Sequence, residues 1–203
     1  MRSLLKAAAR AVATVAVLPN LASYAIRSAI VGRDRALVGS SQLLSLVPGL
    51  AGQYLRRAFL ARVLEGGCAP SAVIEFGVLF SQVGARIDDH VYVGPRCHLG
   101  HVHLEPDVLL AAGVHIPSGP HTHGTGQSDA SGTFRDQPGA LRTVRVGAGS
   151  WIGSNAVVMA DVGKRTIVGA GAVVTRPLPD RVVAAGVPAR VVRQVQEAAP
   201  VPA

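Results

Sequence analysis

An aliphatic side chain returns every six residues through much of this chain. The series runs Ile87, Val93, Leu99, Leu104, Leu110 and Ile116, then Val146, Ile152, Val158, Val162, Val168 and Val174, with short steps only at Leu104 and Val162. The next residue is often small or acidic, as at Gly94, Glu105, Gly153 and Gly169. Four positions after the aliphatic comes another small or branched residue, as at Val91, Cys97, Ala156 and Thr166. A six-residue unit is too short for a helix pair and fits one flat face of a triangular β-solenoid. Each aliphatic then points inward and stacks on the residue one coil away. The pattern predicts an all-β solenoid.

The beat is missing at the N-terminus, where apolar stretches at 7–18, 21–31 and 53–64 predict helices. In the last of these, Leu55, Phe59 and Val63 form one stripe with Arg57 opposite. Gly66, Gly67 and Pro70 punctuate the entry to the repeats. The expected organisation is a basic, apolar helical region over 1–66, the solenoid domain over 67–193 and a tail over 194–203. The beat also stops between Ile116 and Val144, so residues 117–143 read as a loop extruded from the solenoid. A loop of that length on a rigid scaffold is a natural carrier of function. It holds His121, His123, Asp129, Arg135 and Asp136.

Charge sharpens the division. Residues 1–62 carry nine Lys or Arg and one acid, Asp34, which alone accounts for the net +8, and the remaining Lys/Arg and Asp/Glu balance. Three readings compete for the basic, apolar N-terminus. Arg2, Lys6 and Arg10 before an apolar stretch resemble a secretory signal. A spanning helix needs about 20 clean apolar residues, and Pro19, Asn20 and Arg27 interrupt this one. The favoured reading is an interfacial segment, with 1–62 resting on an anionic membrane surface. Nucleic acid is not expected as a partner, because no aromatics interleave with the cations. Two cysteines, Cys68 and Cys97, make no disulfide framework, and Cys97 falls on an inward packing position.

The repeat, the His-bearing loop, the run 151–156 (WIGSNA), the run 168–175 (VGAGAVVT) and 186–190 (GVPAR) together resemble the left-handed β-helix, hexapeptide-repeat acyltransferases. Within them the similarity is to sugar and polysaccharide O-acetyltransferases of the galactoside, maltose and colanic-acid type, and it covers about residues 74–193. The resemblance implies a left-handed parallel β-helix, a homotrimer with sites between neighbouring solenoids, and acetyl-CoA as co-substrate with no metal required. It implies a loop histidine as general base, and an imidazole titrating near pH 6.5 suits removal of a proton from a sugar hydroxyl. His123, directly before Gly124, matches the polysaccharide-type pattern, and His121 fits a second spacing as helper. Trp151, Gly153 and Ser154 match positions along the CoA arm, Ala170 one whose backbone meets the pantetheine, and Arg176, Arg190 and Arg193 positions near the CoA phosphates. Glu75, Asp88 and Asp89 are the carboxylates in the coils where an acceptor sugar would be expected. The run from Ser154 to Ala170 is two residues shorter than in the galactoside type.

The expected activity is acetyl-CoA-dependent O-acetylation of a sugar hydroxyl in exopolysaccharide or other surface-glycan biosynthesis. The acceptor is a sugar or glycan, with a lipid-linked one included, and the expected place is the cytoplasmic face of the cell membrane. The alternatives are N-acetylation of an amino-sugar or another amine, and a non-enzymatic β-helix interaction module. Gamma-class carbonic anhydrases share the fold and bind zinc through three histidines. His98 and His103 have a suitable spacing, but no histidine precedes His90 to supply the third.

Overall fold

The computed structural model describes residues 2–122 and 139–195. Four helices come first: α1 (Arg2–Ala16), α2 (Leu18–Val31), α3 (Arg33–Ser45) and α4 (Gly49–Val63). Pro19 falls in the first turn of α2, where its missing N–H costs no helical hydrogen bond. Gly32, at φ 87°, ends α2 and starts α3 in a backbone conformation that side chains disfavour. The helix α3 was not foreseen, because its apolar residues are interrupted by Gly39, Ser40, Ser41 and Gln42.

Beyond Cys68 the chain winds as a parallel solenoid of about six turns with three faces. The A face stacks Arg86–Ile87, Val102–Leu104 and Val144–Val146, extended by single bridges at Cys68, Val162 and Leu178. The B face runs Val73–Ile74, Tyr92–Val93, Leu109–Leu110, Trp151–Ile152, Ile167–Val168 and Val182–Ala185. The C face runs Leu79–Phe80, His98–Leu99, His115–Ile116, Val157–Val158 and Val173–Val174. Each face contributes one inward residue per coil, and all twelve aliphatics of the beat are at most 2% exposed. Burying each contributes roughly 1.5–3 kcal/mol. The series starts earlier than the sequence pattern suggested, with Cys68, Ile74 and Phe80 filling the first coil. A seven-residue step from Phe80 to Ile87 and two non-aliphatic members hid that coil. Burial pushes the Cys68 thiol up to about 12 and the Cys97 thiol up to about 11, so both pack and neither is a nucleophile at neutral pH.

Both ends of the prism are closed. At the start, α3 and α4 lay Leu37, Leu44, Phe59 and Leu60 into one core with Ile74, Val78 and Phe80. At the finish, Arg190–Gln194 folds back antiparallel on Val182–Ala185 and ends the parallel run. A solenoid needs such caps, because its terminal coils expose apolar interior. The expectation that Arg57 faces away from the packed stripe is corrected here. Arg57 is 8% exposed, its guanidinium donating to the Pro70 carbonyl and lying 5.0 Å over the Tyr54 ring. The first coil turns back along α4 at Pro70 and converts that face of the helix into an interface. Among the described residues no single helix is long and apolar enough to cross a membrane, although α1 and α2 pass by length and composition as a pair bent by 43°.

Candidate active site

The loop leaves the C face after Ile116 and returns to the A face at Val144, so it replaces one corner of the prism. Its neck is tied shut. Ser118 is buried and its Oγ accepts from the His101 amide at 2.9 Å. The Arg142 amide donates to the Ser118 carbonyl at 2.8 Å, and the Ala140 amide to the His121 carbonyl at 2.8 Å. Arg142 also pairs with Asp161 on the next coil at 2.7 Å. Two rungs and an ion pair therefore fix where the loop departs, and His121 stands exposed at the top of the neck. His123, with Asp129, Arg135 and Asp136, lies outside the described residues.

Trp151, Gly153, Ser154 and Ala170 are brought together on another part of the prism. Trp151 projects from the B face half exposed, between Leu109 on one coil and Ile167 on the next. Gly153 and Ser154 turn the corner from B to C, and Ala170 turns it one coil later. The Ser154 carbonyl accepts from the Gly171 amide at 2.8 Å, which binds the two corners together. Gly153 is required by this stacking, since a Cβ there would lie 2.5 Å from the Ala170 nitrogen. The result is a low rail of exposed backbone at Ala170 beside an apolar platform at Trp151.

The cationic candidates divide between edges. Arg190 and Arg193 lie on the last B-face strand, Arg193 opposite Val183, and are exposed at the end of the Trp151 column. Arg176 instead turns the corner between C and A, the edge that carries the loop. Within one chain Arg176 stands with His121, while Trp151, Ser154, Ala170, Arg190 and Arg193 stand along the B face and its corner.

The three carboxylates offered for the acceptor are all engaged. Asp88 accepts from His103 Nε2 and from Arg86 Nε, each at 2.8 Å. Burial works against its ionised form, but these two donors outweigh it and hold the carboxyl below its usual range. Asp89 accepts from Ser71 at 2.7 Å and Glu75 from Gln53 at 2.9 Å.

One pair escaped the sequence reading. His98 and His115 stack on the outer C face with ring centroids 5.1 Å apart and planes within 6°. They are 17 residues apart, one coil of this solenoid, so a search at the coil period finds them. His103 stands on the A face, apart from His98 on the C face. Burial lowers both His98 and His115, and the His115 charge lowers His98 further. A histidine that resists protonation when folded takes up a proton more readily when unfolded. Stability is therefore expected to fall as pH drops below about 6.5. Thermal melts between pH 7.5 and 5 should show this, and His115→Asn should flatten the decline. An equally steep decline in the variant would place its origin elsewhere.

No family model matches the chain. A relative named for lipopolysaccharide biosynthesis O-acetyl transfer, WbbJ of Escherichia coli K12, is 28% identical over 125 residues, 58% of this chain and 61% of that protein. Galactoside O-acetyltransferase of Escherichia coli K12 is 43% identical over 56 residues, 27% of this chain and 28% of that enzyme. The chain thus spans less than two thirds of the length of either relative. A solved maltose O-acetyltransferase from Clostridium difficile 630 matches with a TM-score of 0.55 at 20% identity, covering 81% of this chain and 88% of that one, a likeness of fold. By its six-residue repeat, its three-faced parallel coil and these relatives, the chain is similar to the hexapeptide-repeat, left-handed β-helix acyltransferases.

Proposed function

We propose that the protein is an acetyl-CoA-dependent O-acetyltransferase that modifies a sugar hydroxyl in surface-glycan biosynthesis, and that it works as a homotrimer. The names of the two relatives support the chemistry, and the rail at Trp151, Ser154 and Ala170 supports the co-substrate. The observation that carries the reading is the division of the candidate site between edges. The foot of the loop stands at the corner between C and A, whereas Ser154 and Ala170 stand at the corner between B and C and Trp151 on the B face, so one chain holds the foot of its loop and its rail on different edges. The outward B-face column is apolar from Val73 through Tyr92, Leu109, Trp151 and Ile167 to Val183, whereas the outward A-face column carries Arg86, His103 and Arg145. A closed C3 arrangement buries such a column and brings the loop of one chain to the rail of the next.

In that shared site His123 takes the proton from the acceptor hydroxyl while its oxygen attacks the thioester carbonyl. The C–S bond then breaks and the imidazolium returns the proton to the departing thiolate. His121, two residues away in the sequence, steadies the base.

Consumption of acetyl-CoA against a panel of sugars, glycan fragments and amines tests the activity, and a preference for amines would overturn the O-acetyl assignment. Sedimentation should give a species of about 60 kDa, three chains of 20.9 kDa. His123→Ala and Trp151→Glu should each be nearly inactive alone. Mixed trimers of the two should recover part of the activity, because some interfaces join an intact loop to an intact rail. No recovery, or a fully active monomer, would overturn the shared site.

The place of action we propose is the cytoplasmic face of the membrane, with residues 1–62 on its anionic surface. Leu4, Leu5, Val12, Val15, Ile26 and Ile30 support this, each more than 60% exposed on α1 or α2.

A further inference from the structure

A cavity of about 330 Å³ opens between the helical cap and the first coil, and its polar lining is cationic. Lys6 and Arg10 reach it from α1, Arg57 from α4 and His90 from the corner after Ile87. Arg10 Nη2 donates to the Pro70 carbonyl at 3.1 Å, and Arg57 Nη1 donates to the same oxygen. Two guanidinium groups thus converge on one neutral acceptor. Burial, followed by the Arg10 charge, pulls Arg57 below its ordinary range. Among the described residues no carboxylate forms an ion pair with Lys6, Arg10 or Arg57. Asp89 accepts from Ser71 and Glu75 from Gln53, two neutral residues of the lining, and Asp107 faces His90 at 3.5 Å, so among the described residues the cavity's cations without an acidic partner are Lys6, Arg10 and Arg57. Unbalanced positive charge in a concave site calls for an anion with several acceptor oxygens.

The cavity does not end there. Leu50 and Tyr54 also line a second space, an apolar groove of about 410 Å³ between α1 and α4. Its floor and walls are Ala9, Val12, Ala13 and Ala16 on one side and Ala51 and Leu55 on the other. Small residues on α1 leave side-chain volume unfilled beside α4, which makes a trough, and Val12 and Leu50 at its rim are 68% and 70% exposed. A soluble phosphate would use the first space and leave the second open to water. A hydrocarbon would use the second and leave the cations unanswered.

We propose that the joined spaces form a binding site for one amphiphile, a phosphate-headed lipid whose phosphate meets Lys6, Arg10 and Arg57 and whose chain lies in the α1–α4 groove. This site rests on the membrane-surface reading of residues 1–62 and is independent of the acetyl-transfer chemistry.

Calorimetric titration of the full chain with monomeric dihexanoyl phosphatidic acid tests it, alongside glycerol 3-phosphate and dihexanoyl phosphatidylcholine. The expected result is one site per chain for phosphatidic acid, at least tenfold tighter than for either comparison ligand. Arg10→Glu, at an exposed position on α1, should weaken phosphatidic acid at least tenfold, and Lys6→Glu is a second variant on the same wall. Val12→Asp should reduce phosphatidic acid to the affinity of glycerol 3-phosphate. Unchanged circular dichroism secures the fold of each variant. Equal affinity for glycerol 3-phosphate would identify a soluble phosphate as ligand and overturn the lipid assignment. Equal affinity for phosphatidylcholine, or indifference to both charge reversals, would overturn the phosphate contact. Pelleting of the wild-type chain with phosphatidylglycerol vesicles judges the wider membrane reading separately, because the monomeric ligands involve no bilayer.

Discussion

Replacing His123 with alanine is expected to lower kcat about 10²–10⁴-fold while leaving the affinity for acetyl-CoA nearly unchanged, because the general base proposed for it acts on the acceptor hydroxyl in the transition state. His121→Ala should cost less, since its part is to steady its neighbour. Steady-state kinetics on the best acceptor, with acetyl-CoA binding measured separately, distinguishes the two. Near-normal turnover in His123→Ala with loss in His121→Ala would exchange the assignments. Near-normal turnover in both would sink the mechanism. The tied neck makes the comparison clean, because neither change touches the rungs at Ser118 and Ala140, which are made by backbone atoms or by Ser118 itself.

The second large effect belongs to Arg56. Only 2% exposed, it donates through Nε to the Ile74 carbonyl at 2.9 Å and through Nη1 to the Leu44 and Val47 carbonyls at 3.0 and 2.8 Å. One side chain therefore joins the end of α3, the turn before α4 and the first coil. Burial pulls its guanidinium below the ordinary arginine range, with Glu75 opposing that pull, and it stays charged at neutral pH. Arg56→Met would keep much of the volume and leave three carbonyls without their donor, a loss of about 3 kcal/mol or more. Thermal unfolding should move down by about 10 °C for a chain of this size. An unchanged melt would show that water replaces the guanidinium at no cost.

Much of the fold was legible because the solenoid is nearly one-dimensional. Each coil repeats the demands of the last, so the aliphatics from Ile87 to Val174 announce their own partners. The first coil was less legible, since Cys68 and Phe80 fill aliphatic positions there and the helical cap, not another coil, covers its lower side. A charged residue on α4 misled for a related reason. Arg57 looks like part of a solvated face in the sequence, and the coil that buries it lies more than ten residues downstream, with no local sign of its approach. For the candidate site, the rail was legible as a motif, because Gly153 and Ala170 are constrained by backbone stacking one coil apart. That Arg176 stands on a different edge from Arg190 was not, since edges follow from the count of strands and turns between them. The His98–His115 stack was hidden among residues that seem unrelated until the coil length is known.

The loop has a consequence for how such a protein can change. Val102, His103 and Leu104 pair in register with Val144, Arg145 and Val146, as though the intervening residues were absent. The insertion interrupts a corner and leaves each strand its neighbour above and below. Lengthening it adds only loop-closure entropy, about 0.6 kcal/mol for each doubling. Stability is set by the stack and by the neck at Ser118, His121, Ala140 and Arg142. Variation can therefore change the loop at this corner while the register of the strands stays as it is.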